Sequence, residues 1–246
     1  MKPSRDLRSV DSSHWKEYLF EFLLLFLAIT AGFFVDNQRE LFKERREEKE
    51  FIEALHEDLI TDTARINEVV TATKLEVQHL DSFLNKLTLL KSTDVTPDLY
   101  EWHYECFNGL EIFRNSVGTI DQLTNSGGLN LIRNADVTKA ITKYDVETER
   151  LRTWNERSLI AMNDALSACD KVFDYSRSAA GDPYAFHASQ PFSLKMNAPD
   201  AGDLRLVYNK LWKMRTHLEQ YNVELLGWKR QLTQMIVLLR EDYRLE

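Results

Sequence analysis

The sequence predicts an all-α chain: an N-terminal transmembrane helix continuing into an elongated helical bundle with coiled-coil-like packing. Three observations carry this. Residues 19–35 are apolar or small except Glu21 and Thr30. Between Leu204 and Leu239 the apolar positions alternate in steps of three and four without a break for five heptads, the seam of helices that pack along their length. Glycine and proline are sparse, 8 and 5 in 246 residues, which disfavours short strands joined by turns.

The elements follow in order. Residues 1–14 are polar and short, a flexible tail. Residues 15–38 form the span: as a helix the 19–35 run is about 26 Å long, close to the ~30 Å hydrocarbon core of a bilayer. Trp15 and Tyr18 precede it, where amphipathic rings favour the membrane–water interface. Lys2, Arg5 and Arg8 with Thr30 and Gly32 also suit a signal peptide, but cleavage there would leave Phe33, Phe34 and Val35 at the new terminus. An uncleaved anchor fits better. Basic residues flank both sides of the span, so charge does not fix its orientation. Residues 39–50 are a charged stalk: KERREEKE at 43–50 offers Lys43–Glu47 and Arg46–Glu50 as i,i+4 pairs on a solvated continuation of the helix.

Residues 51–246 are expected to form the extramembrane helical bundle. Ile52, Leu55, Leu59, Ile66, Val69, Leu80, Phe83, Leu87 and Leu90 mark a buried stripe, broadened by Val70, Val77 and Leu84 and interrupted by Asp62, Thr73 and Glu76. The helix ends before Thr96-Pro97, a capping residue followed by a proline suited to a first helical position. A short helix spans 97–108 up to Gly109. Another starts at Thr119, where Thr119 and Gln122 have capping-box spacing, and stops at Gly127-Gly128, which supply left-handed backbone. Asn134 caps a long helix to about residue 175, with Val137, Ile141, Tyr144, Leu151, Leu159, Met162, Leu166, Cys169 and Phe173 as its buried face. Residues 176–202, with Gly181, Pro183, Pro191, Pro199 and Gly202, read as a long irregular connection. The last helix runs from about Leu204 to Tyr243. Three long helices with single apolar stripes bury them on one another.

Composition excludes several function classes. The formal net charge is −8, which argues against a nucleic-acid partner needing a basic face. Two cysteines, Cys106 and Cys169, exclude a disulfide-rich scaffold and a four-cysteine zinc site; they read as buried free thiols, with a pairing left open. His103 and Cys106 are three apart, with no third ligand at suitable spacing. The other histidines are scattered, and there is no glycine-rich phosphate loop, no HExxH and no GxSxG. Trp102, Trp154, Trp212 and Trp228 suit the core or rim of a bundle. No cofactor and no metal are expected.

Glu21 stands apart. Ionisable residues inside a span cost up to ~3 kcal/mol at its centre and are often functional. Glu21, Leu25, Ala28, Gly32, Val35 and Arg39 follow steps of four and three and share one helix face, on which Ala28 and Gly32 form a small-xxx-small pattern that lets helices approach closely. One reading has Glu21 snorkelling to the headgroups beside Glu17. The others make this face an intramembrane contact or an ion site.

Two stretches carry a resemblance: EFLLLFLAITAGFFVDN, leading into a charged helix, and IDQLTNSGGLNLIRNADVTKAITKYD. Together they resemble an uncharacterised family of bacterial single-span membrane proteins with a Leu-x-x-Ser-Gly-x-Leu-x-Leu-Ile-x-Asn motif before a helix ending in tyrosine. Leu123, Ser126, Gly127, Leu129, Leu131, Ile132, Asn134 and Tyr144 match, and Gly128 stands where the family often has Asn. The resemblance implies a single-pass protein of the plasma (inner) membrane with the bulk of the chain extracytoplasmic. It implies no activity and does not reach the last 70 residues.

The expected function is therefore non-enzymatic: a membrane-anchored helical protein that self-associates or scaffolds a membrane complex. Its expected partners are membrane lipid and either further copies of itself or other membrane-protein subunits. An ion- or proton-conducting subunit built around Glu21, and a tethered sensor binding a ligand near residues 177–202, are the alternatives.

Overall fold

The computed structural model describes residues 14–90, 97–116, 118–125, 127–174, 195–197 and 199–245. Among these the chain is all-α, with helices α1 (His14–Leu89), α2 (Pro97–Asn108), α3 (Gly118–Asn125), α4 (Ala135–Val172) and α5 (Ala201–Tyr243). A two-residue antiparallel pairing, β1 (Phe173–Asp174) with β2 (Lys195–Met196), is the departure from that class. The chain divides into two compact units, Met1–Glu50 and Phe51–Glu246. Residues 1–13 of the expected 1–14 tail, the Thr96 cap and most of the 176–202 connection lie outside the described residues, and His14 already belongs to α1.

α1 is one continuous helix of 76 residues. Within the first unit Lys43–Glu47 and Arg46–Glu50 close as i,i+4 pairs at 3.4 and 2.9 Å. Both are exposed, so each stabilises the helix by only a few tenths of a kcal/mol.

The second unit builds its core from α1, α4 and α5 in two apolar clusters. The first contains Ile52, Leu59 and Ile66 of α1, Ile141 and Leu151 of α4, and Leu225, Trp228 and Leu239 of α5. The second contains Leu80 and Phe83 of α1, Leu99 and Cys106 of α2, Ala165 and Cys169 of α4, and Leu211 and Leu218 of α5. The 204–239 alternation is obeyed closely. From Val207 to Leu239 each expected apolar position is buried, and Leu204 is half-buried.

Helix ends follow their side chains. Asn134 caps α4 by accepting from the N–H groups of Asp136 and Val137. Gly127 takes φ +77°, the left-handed backbone that starts the 3-10 turn Gly128–Leu131. Gly128 needs its missing side chain for another reason: a Cβ there would meet Leu123 Cα at 3.2 Å.

Five expectations are corrected. α3 starts at Gly118, one residue before Thr119. α4 ends at Val172, because Phe173 turns into the β pairing. α5 starts at Ala201, because Asp200 and Asp203 form a capping box and Gly202 sits inside the first turn, its N–H donating to Asp200 at 2.6 Å. Leu159 is exposed, and the small residues Ser158, Ala165 and Ala168 are buried in the α4 face. Finally, Asp62, Thr73 and Glu76 do not interrupt the α1 stripe. They are buried on it, at 0, 0 and 3% exposure.

Candidate functional site

Two regions bear on function, one in each unit. In the first unit, residues 15–37 form helix and all are exposed. This stretch is the one helix segment, among the described residues, long and apolar enough to cross a membrane, and none of it is buried. A water-soluble protein keeps its apolar surface in small patches; here Phe20, Leu24, Leu27, Phe33 and Phe34 stand 53–73% exposed. The single polar side chain in the middle of the run is satisfied locally, Thr30 Oγ1 donating to Phe26 O at 2.7 Å.

Glu21, Leu25, Ala28, Gly32, Val35 and Arg39 lie on this helix, exposed. Glu21 and Arg39 are 18 residues apart, five full turns, so both sit at the same azimuth of the helix. A Cβ built at Gly32 would meet nothing within 4 Å. The residues expected to make an intramembrane contact are therefore brought to one face, and among the described residues nothing covers that face.

In the second unit the irregular stretch 109–116 lies among three helices, held by hydrogen bonds from each. Asp62 of α1 accepts from Ser116 N–H and Oγ–H at 2.8 and 2.9 Å and from the Tyr144 hydroxyl at 2.7 Å. Tyr221 of α5 accepts from Phe113 N–H at 2.9 Å, and Asn155 of α4 donates to Phe113 O at 2.6 Å. The Tyr221 hydroxyl in turn donates to Asn155 Oδ1 at 2.6 Å. Burial, and then the Asp62 carboxylate, hold the Tyr144 phenol well above its ordinary range, and burial pushes Tyr221 up to about 12. Both therefore stay neutral donors.

Between the apolar clusters lie further polar pairs. Thr73 bonds Asn222 across α1 and α5. Ser158 Oγ sits 3.1 Å from His217 Nε2, between α4 and α5, and donates to Trp154 O at 2.9 Å. A serine beside a histidine invites a nucleophile reading, but Ser158 is 0% exposed and its proton is committed to its own helix. The pair packs the helices.

His103 is buried against Phe83, Phe107 and Phe173, ring centroids 5.1–5.8 Å away, and burial lowers its pKa to about 4. Cys106 and Cys169 are free and buried, and burial pushes both thiols well up, the opposite of what a reactive thiol needs. Among the described residues no three or more His, Cys, Asp or Glu side chains are grouped to hold a metal. α4 and α5 also line a cavity of about 150 Å³ walled by Ala140, Tyr144, Trp228, Leu232, Met235 and Leu238.

The sequence singled out the Glu21 face and missed the buried polar network. The missed signal was spacing: Leu59, Ile66, Thr73 and Leu80 are seven apart, as are Leu55, Asp62, Val69, Glu76 and Phe83. The register runs through the polar residues. No family model, curated protein or solved structure matches the chain.

Proposed function

We propose that this chain is a single-pass membrane protein without enzymatic activity that self-associates, or scaffolds a membrane complex, through the Glu21–Arg39 face of its anchor. The observation that supports this most directly is the uncovered face itself. It lies on a helix whose residues 15–37 are all exposed among the described residues, and it carries small residues where a second helix would approach. Lipid can cover the rest of the segment, but close backbone approach at Ala28 and Gly32 serves another helix better than it serves acyl chains. Glu21 then faces that neighbour, not hydrocarbon, which lowers the cost of its charge. On the resemblance to bacterial single-span proteins, the membrane is the plasma (inner) membrane and the bulk of the chain is extracytoplasmic.

The test is crosslinking of the full chain in detergent. Wild type gives a crosslinked oligomer and Gly32→Leu loses most of it, because a leucine holds the helices apart. An identical crosslinking pattern for the two proteins rejects this face. Glu21 also favours a second reading, in which a ring of carboxylates passes ions or protons. In that case wild-type liposomes conduct, and Glu21→Gln stops the flux while leaving the oligomer intact. Wild-type liposomes without flux exclude it.

A further inference from the structure

We propose that α2 is held on α1 by a proton retained on the buried Glu76 carboxyl, so that raising the pH undocks α2 and uncovers the Cys106 thiol. Glu76 is 3% exposed. Among the described residues its Oε1 has no hydrogen-bond partner, and neither has Nδ1 of His79, one turn further along α1. Across the interface α2 presents a second carboxylate, Glu105. His79 Nδ1 stands 4.0 Å from Glu76 Oε2 and 4.0 Å from Glu105 Oε2.

Among the described residues the charges around this group are unbalanced. From α1 comes His79, and from α2 come the Glu105 carboxylate and the Cys106 thiol. Arg215, on α5, is bonded to Asp81 and to Glu219. Ionising Glu76 would thus place a desolvated negative charge next to Glu105, with Oε1 left without a donor among the described residues. Burial, and then Glu105, push the Glu76 carboxyl up to about 8. The sign follows: a carboxyl raised above its ordinary range contributes stability at acid pH, and that stability is lost as pH rises through about 8. The strain falls on α2, which is only 12 residues long and docks through Leu99, His103 and Cys106.

The test is alkylation of Cys106 in the full chain in detergent, read at that peptide by mass spectrometry and normalised to the unfolded chain at each pH. Normalisation removes the thiol's own ionisation. In wild type the normalised rate rises about tenfold or more between about pH 6 and about pH 9, and in Glu76→Gln, which carries a permanently neutral amide, it stays flat. Glu105→Gln, a half-exposed change that does not threaten folding, moves the midpoint to lower pH, because the like charge that opposes ionisation is gone. A flat wild-type profile, a Glu76→Gln profile that follows wild type, or an unmoved midpoint in Glu105→Gln overturns the proposal. So does protection that a metal chelator removes at every pH, since a cation and not a proton would then join the carboxylates.

Discussion

Asp62 sits fully buried among helices with donors from Ser116 and Tyr144 around its two oxygens. A buried carboxylate is tolerated only when its oxygens are supplied with donors, and removing one donor costs more than the bond itself contributes, because the charge is left behind. Tyr144→Phe removes the donor to Oδ2 and keeps the ring against Trp228, 5.1 Å away between centroids. We expect a loss of about 1–3 kcal/mol in denaturant unfolding of the detergent-solubilised chain. An unchanged midpoint would mean that Asp62 is not held this way. This scale is where the sequence was least legible. Asp62, Thr73 and Glu76 break an apolar count, yet they keep the seven-residue spacing, and the partners of Asp62 and Thr73, namely Ser116, Tyr144 and Asn222, lie 54 to 149 positions away. Nothing local shows that such a residue is satisfied. Ser158 was missed for the same reason: it lies seven after Leu151 and seven before Ala165, but an apolar neighbour, Leu159, drew the stripe aside.

Helix ends, by contrast, depend on side chains within a few residues, and most were readable. Asn134 and the ends of α2 stand where the spacing placed them, whereas Gly202 read as a breaker and hid the Asp200 cap. Asn134 does two things: Oδ1 caps α4, and Nδ2 donates to Asp242 of α5 at 2.5 Å. Asn134→Ala should cost about 1 kcal/mol, up to 2 at most, seen as a lower unfolding midpoint at unchanged denaturant slope. α2 adds a pH response on the acid side. His103 is lowered to about 4 by burial, so its contribution is complete above the ordinary histidine range and is lost as pH falls toward that value. Stability measured through that window should fall in wild type and fall less steeply in His103→Leu. Parallel curves would remove His103 as the cause.

At the scale of the whole molecule the two units bury their apolar residues differently. The Phe51–Glu246 unit closes two cores on itself, and the expectation of an all-α helical bundle was legible because its long stripes at 52–90 and 204–239 are strictly periodic. In the other unit residues 15–37 are exposed, and composition alone marks them as long and apolar enough to cross a membrane. The Glu21 face was legible for the same reason, since helical periodicity over 18 residues needs no tertiary information. What covers that face was not, because no described residue of the chain does. The most direct measurement is the protein mass of the purified particle in detergent, with bound detergent subtracted, for wild type and Gly32→Leu. The account predicts a wild-type particle of more than one chain and a Gly32→Leu particle reduced toward a single chain; a wild-type particle of one chain alone, or equal masses for the two, would contradict it.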